Sequence, residues 1–173
     1  MPHSAPDWIE TAAHKILREE PQSVLDIGFG FGMGGMVARE YADIWQLRIQ
    51  RHEWRTRIDG IEIFAPYLMR HQRHLYDNIH VGDALELLPE FGHYDLVLCI
   101  DVLEHLAKPD GLRLLELIAE HATHFLVSTP AEFFPQTGFK GNEAERHLAF
   151  WTAAELAAYG TVTQRGPLLL LER

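Results

Sequence analysis

The stretch "SVLDIGFGFGMGG", Ser23 to Gly35, decides the fold. Val24, Leu25 and Ile27 read as a short buried strand, Asp26 interrupts it, and Gly28, Gly30, Gly32, Gly34 and Gly35 follow at once. A strand that runs through a glycine-rich turn into a helix brings backbone N–H groups and a helix N-terminus close to a ligand, because no Cβ holds it off. Gly30-x-Gly32-x-x-Gly35 fits the dinucleotide fingerprint, a pattern weak on its own. Asp26 sorts the ligands by charge. A pyrophosphate disfavours a nearby carboxylate, whereas S-adenosylmethionine, with an ammonium, a sulfonium and no phosphate, is attracted by it. The third reading is a buried acid that caps the turn's own N–H groups.

Outward from this turn the chain alternates. Strand-like runs recur at 23–27, 57–63, 78–81, 94–100 and 124–129, with helical patterns at about 33–41, 66–75 and 109–121 and a short turn near 85–88. An amphipathic segment with Trp8, Ile9, Ala12, Ala13, Ile16 and Leu17 precedes them and ends at Pro21. Strict alternation of strand and helix indicates βαβ units and a parallel sheet covered on both faces. The tail differs: "TAAELAAYG" reads as a helix stopped by Gly160, and "TVTQR" and "LLLLER" as two strands about Gly166-Pro167, closing the sheet with an antiparallel pair. One domain is expected over 1–173, with an N-terminal helix in 1–21.

Composition narrows the function. A chain of 173 residues, 47% hydrophobic, fills one well-cored domain. No apolar run is long enough to span a bilayer and no secretory leader is visible, so a cytoplasmic protein is expected. The single cysteine, Cys99, lies in the apolar run "YDLVLCI" and reads as a reduced core residue, which excludes disulfides and cysteine metal sites. A formal net charge of −10 repels a phosphate backbone and counts against nucleic acid as partner.

More acids stand at the ends of the strand runs. Glu62 ends the second, Asp83 the third and Asp101 the fourth. A carboxylate at Glu62 can accept both hydroxyls of a ribose, and Asp83 with the backbone of Ala84 can read an adenine edge. Each alone is also a plausible helix N-cap. Together with Asp26 they bring four acids to the carboxyl edge of the sheet, where ligands bind in open α/β folds.

In these stretches the sequence resembles the class I, Rossmann-like S-adenosylmethionine-dependent methyltransferases. "VLDIGFGFG" resembles their first motif, "GIEIF" the second, "GDALELL" the third and "YDLVLCIDVLEHL" the fourth. The resemblance covers nearly the whole chain. It implies a doubly wound, seven-stranded sheet of order 3-2-1-4-5-7-6 with strand 7 antiparallel. It also implies that Asp26, Gly28, Gly30 and Gly32 line the methionine end, Glu62 holds the ribose, Ile63 packs on adenine, and Asp83 with Ala84 reads its edge. The chain departs from the family at 43–57, "DIWQLRIQRHEWRTR", a basic insertion that reads as a lid, a partner surface or an extended helix.

Methyl transfer from a sulfonium is an in-line displacement on an activated carbon, so positioning and water exclusion are the protein's main work. A general base is needed only where the acceptor must lose a proton. Two stretches can supply one: Asp101-Val-Leu-Glu104-His105, and "GNEAERHLAFW" with His147. Their combination resembles the magnesium site of plant-type small-RNA 2′-O-methyltransferases, but "VLEHL" also occurs in metal-free methyltransferases, where its Glu and His are helix-start and packing residues. A metal is not favoured, and a structural or substrate-binding role stays open beside the base. The acceptor is expected to be a small molecule, methylated on O or N, with specificity from the N-terminal helix, the 43–57 insertion and the 130–151 loop. An RNA or protein acceptor fits if Arg48, Arg51, Arg55 and Arg57 form one exposed stripe. A non-catalytic partner subunit fits if the loop fills the cleft.

Overall fold

The computed structural model describes residues 4–173. Seven strands, β1 Ser23–Ile27, β2 Arg57–Glu62, β3 Asn78–Val81, β4 Tyr94–Ile100, β5 Ala122–Pro130, β6 Thr161–Arg165 and β7 Leu168–Glu172, form one sheet. Their order is β3-β2-β1-β4-β5-β7-β6. β7 runs antiparallel to both neighbours and the other pairings are parallel. This is the expected Rossmann-like order.

The helices are α1 Ile9–Glu19, α2 Met33–Ala42, α3 Arg70–Leu75, α4 Ala84–Leu87, α5 Lys108–His121 and α6 Ala153–Leu156. Side chains alternate across a strand, so β1, β4 and β5 each serve two cores. Leu25, Val97, Cys99, Phe125 and Val127 pack with Leu114, Leu115 and Ile118 of α5 and with Trp151. Val24, Leu96, Leu98 and Leu126 pack on the other face with Ala12 and Ile16 of α1 and Val37 and Ala38 of α2. Cys99 is free and fully buried.

Two segments depart from the sequence pattern. The helix expected over 66–75 splits into a 3-10 turn, Ala65–Tyr67, and α3, because Met69 is extended. The 43–57 insertion forms two 3-10 turns, Ile44–Gln46 and Arg51–Glu53, rather than a continued helix. It hangs on Arg39, which is 1% exposed. The Arg39 guanidinium donates to Asp43, Asp77 and the carbonyls of Thr56 and Leu75, and lies 4.1 Å from the Trp54 ring centre. Because the insertion joins the end of α2 to the start of β2, it lies at the amino edge of the sheet.

Candidate active site

At the carboxyl edge, the chain encloses a cavity of about 480 Å3. Its wall draws on the ends of β1, β2 and β4, the N-terminal segment at Ser4 to Ile9, and the loop after β5. No residue of 43–57 lines it. The insertion is therefore not a lid over this cavity, and of the three expected specificity elements only the N-terminal segment and the 130–151 loop reach it. Of the insertion's four arginines, Arg51, Arg55 and Arg57 are exposed, and two of the four are paired with acids. Arg48 is tied to Asp43, and Arg57 to Asp59.

The glycine turn is held from two sides. Gly28, Gly30 and Gly32 have φ of 67°, 51° and 89°, which side-chain-bearing residues rarely adopt. Gly32 is also the N-cap of α2, with no side-chain cap, so the first N–H groups of that helix face the turn. From the front, Glu62 accepts N–H bonds from Gly30 at 2.9 Å and Phe64 at 2.8 Å, one per carboxylate oxygen, leaving each a second lone pair. From behind, Gln72 donates to the Gly30 carbonyl at 2.7 Å. The Tyr76 hydroxyl accepts from Gly35 N–H at 3.0 Å and donates to Asp26 at 2.6 Å. Gln72 and Tyr76 were not legible as site residues. Gln72 lies in α3 and Tyr76 is the extended residue that ends it, so no helical spacing marked them as a pair.

Each expected acid is at the cavity wall. Asp26 lies beneath the turn, 2% exposed, and burial pushes its carboxyl up to about 7 against the bonds from Tyr76 and Gly35. Burial likewise raises Glu62. Asp83 caps α4 by accepting from Leu85 N–H at 2.8 Å, so here the N-cap reading holds alongside any ligand role. Ala84 begins α4, and Ile63 is 50% exposed at the rim. Asp101 has φ of 51° and accepts from the Ser128 hydroxyl at 2.5 Å, with its carboxyl raised by burial. Among the described lining residues are six carboxyl groups, three histidines, and no lysine or arginine. Such a wall suits a cation.

The two stretches expected to carry a base do meet. Glu104 is 3% exposed, and its backbone carbonyl accepts from Leu148 and Ala149, pinning the loop to the turn after β4. Its carboxyl accepts from Thr129, and burial, reinforced by Asp101, lifts it well above the usual range. His105 Nδ1 is 3.1 Å from the Arg146 carbonyl, and His147 Nδ1 is 2.9 Å from the Phe134 carbonyl. A carbonyl only accepts, so both Nδ1 atoms carry a proton, and in the neutral ring the lone pair is on Nε2. Burial lowers His105 further toward the neutral form. The rings are 5.0 Å apart, and ligand atoms of Glu104, His105 and His147 lie within 4.8 Å of one another. Asp101 stands outside this group, engaged with Ser128.

A family model described as a methyltransferase domain matches residues 1–162. The chain belongs to the class I S-adenosylmethionine-dependent methyltransferases. No curated protein matches this methyltransferase in sequence. Among solved structures it is similar to the methyltransferase domain of bacterial CtHen1, with TM-score 0.62 and 19% identity over 96% of this chain and 97% of that one. It is also similar to DhpI in a complex titled DhpI-SAM-HEP, with TM-score 0.68 and 17% identity over 96% and 85%. An O-methyltransferase family protein from Burkholderia thailandensis matches with TM-score 0.60 and 12% identity over 95% of this chain and 54% of that one, so this methyltransferase spans about half that protein's length. These likenesses are of fold. No described helix is long and apolar enough to cross a membrane.

Proposed function

We propose that this methyltransferase moves the methyl group of S-adenosylmethionine to an oxygen or nitrogen of a small-molecule acceptor, with His105 or His147 taking the acceptor's proton. The observation that carries the reading is the pair of imidazoles whose Nδ1 atoms are held by backbone carbonyls at the wall of a carboxyl-lined cavity. The bound cofactor supplies an activated methyl carbon: as the new C–O or C–N bond forms, the C–S bond breaks and its electron pair stays on sulfur. Asp26 offers negative charge under the methionine end, Glu62 offers two lone pairs to ribose hydroxyls, and Asp83 with Ala84 offers an adenine edge contact. Ile63 packs on the ring. Asp101 continues the negative wall toward the methyl group. The proton lost by the acceptor goes to an Nε2 atom, and Nδ1–H, held by Arg146 or Phe134, stabilises the resulting imidazolium.

A second reading rests on one observation. Glu104, His105 and His147 could share a divalent cation, since their ligand atoms lie within 4.8 Å and nitrogen–oxygen sets of this kind suit such ions. Both Nδ1–H groups are already anchored, as metal-bound histidines require. Bound there, the ion would lower the acceptor hydroxyl's pKa. One experiment separates the readings: transfer of labelled methyl from S-adenosylmethionine to pooled acceptors, with and without a chelator. Transfer that survives chelation supports the histidine base. Transfer abolished by chelation and restored by added divalent ion supports the metal. No binding of S-adenosylhomocysteine would overturn both.

A further inference from the structure

The acceptor end of the cavity has an uneven hydrogen-bonding inventory. Ser4 and Asn142 line the cavity, Ser4 bonded to Asp101 and Asn142 to Tyr67, and other side-chain donors in and beside the wall have partners within the protein. Tyr67 donates to Glu145 at 3.0 Å, Gln136 to the Glu145 carbonyl at 2.7 Å, Ser128 to Asp101 and Thr129 to Glu104. His71, at the rim, has its Nε2 2.8 Å from the Phe31 carbonyl, which only accepts. What the wall chiefly offers an incoming molecule is acceptor atoms: the Nε2 atoms of neutral His105 and His147 and the carboxyl oxygens of Asp101, Glu104 and Glu145. No lysine or arginine stands among the described lining residues to balance an anion. The remaining wall here is apolar, from Leu106, Pro130 and Phe134.

These facts select the acceptor's chemistry. A carboxylate or phosphate placed here would lose its hydration, face carboxyl groups rather than donors, and find no cation to pair with. A hydroxyl or amino group brings the donor that the lone pairs require, and an ammonium also offsets the buried acids. We propose that the acceptor is an uncharged or cationic molecule with an apolar body and a hydroxyl or amino donor, and that this site rejects carboxylate- and phosphate-bearing acceptors. The proposal rests on the methyltransferase reading above and narrows its substrate class.

Three probes of one shape test it: benzylamine, benzyl alcohol and benzoate, titrated by calorimetry into protein saturated with S-adenosylhomocysteine. The amine and the alcohol should bind, with benzoate at least ~10-fold weaker than either. Phe134→Arg places a guanidinium at the wall and should reverse the order, raising benzoate affinity at least ~10-fold while S-adenosylhomocysteine still binds. Equal binding of benzoate and benzylamine overturns the proposal, as does failure of all three to bind. In both cases intact S-adenosylhomocysteine binding leaves the cofactor reading standing. Failure of S-adenosylhomocysteine itself to bind would bring down that reading and this proposal with it.

Discussion

Replacement of Glu62 by glutamine isolates one carboxyl group of the cavity wall, the one proposed to hold the ribose. The side chain is 4% exposed and keeps nearly the same volume when amidated, so packing changes little. The carboxylate now takes Gly30 N–H at 2.9 Å on one oxygen and Phe64 N–H at 2.8 Å on the other. Glutamine can satisfy one of these with its carbonyl oxygen and must turn an NH2 group toward the other. One charge-assisted bond is lost, worth ~1.5–3 kcal/mol. In the free protein part of that loss is returned, because the ionised form is already penalised by burial, which raises the group. The ribose hydroxyls meet no such offset. Glu62→Gln should therefore weaken S-adenosylhomocysteine by roughly 10–100-fold, since ~1.4 kcal/mol is a factor of ten. Unfolding stability should fall by less, about 1 kcal/mol. Calorimetry gives the first number and urea unfolding at unchanged m the second. A folded variant that binds S-adenosylhomocysteine as tightly as the parent would refute the ribose assignment and the role of Glu62 in holding the turn.

Three further outcomes follow from the same geometry. Gly35→Ala puts a methyl into the Tyr76 ring, closer than real Cβ contacts come; it should cost ~1–3 kcal/mol in urea unfolding, while Met36→Ala, next door and 52% exposed, should change little. Asp26, pushed up to about 7 from 3.8, holds a proton more tightly folded than unfolded. Its stabilising contribution is thus full below the unfolded value and is lost as pH rises through the folded one. A cation recruits the ionised form, so S-adenosylmethionine affinity should rise from about pH 6 to 8 and do so less in Asp26→Asn, as read by calorimetry. Finally, His147→Ala or His105→Ala should lower the single-turnover methyl-transfer rate ~10²–10⁴-fold while leaving S-adenosylhomocysteine affinity within about twofold. If each keeps the full rate, neither imidazole is the base.

The limits of the sequence reading follow from where each partner lies along the chain. Asp26, Glu62, Asp83 and Asp101 were legible because each stands at or near the end of a strand run, and a parallel sheet carries such positions to one edge whatever the rest of the chain does. The order of the strands was legible for a different reason, through the motifs that resemble the family. The 43–57 insertion was not, since its anchor, Arg39, sits inside α2 and draws its partners from Asp43, Thr56, Leu75 and Asp77. No local pattern announces such a hub; an arginine mid-helix reads as a solvated face until the fold buries it. Glu104 shows the same limit within the site. As part of "VLEHL" it looks like a helix-start residue, yet its carbonyl binds Leu148 and Ala149, more than forty residues on. That one peptide group ties His105, on the turn after β4, to the loop that carries His147, and so sets the 5.0 Å between the two rings. The histidine pair is therefore a property of the loop's attachment rather than of either motif. Its chemistry should be as sensitive to the backbone register at Leu148 as to the imidazoles themselves.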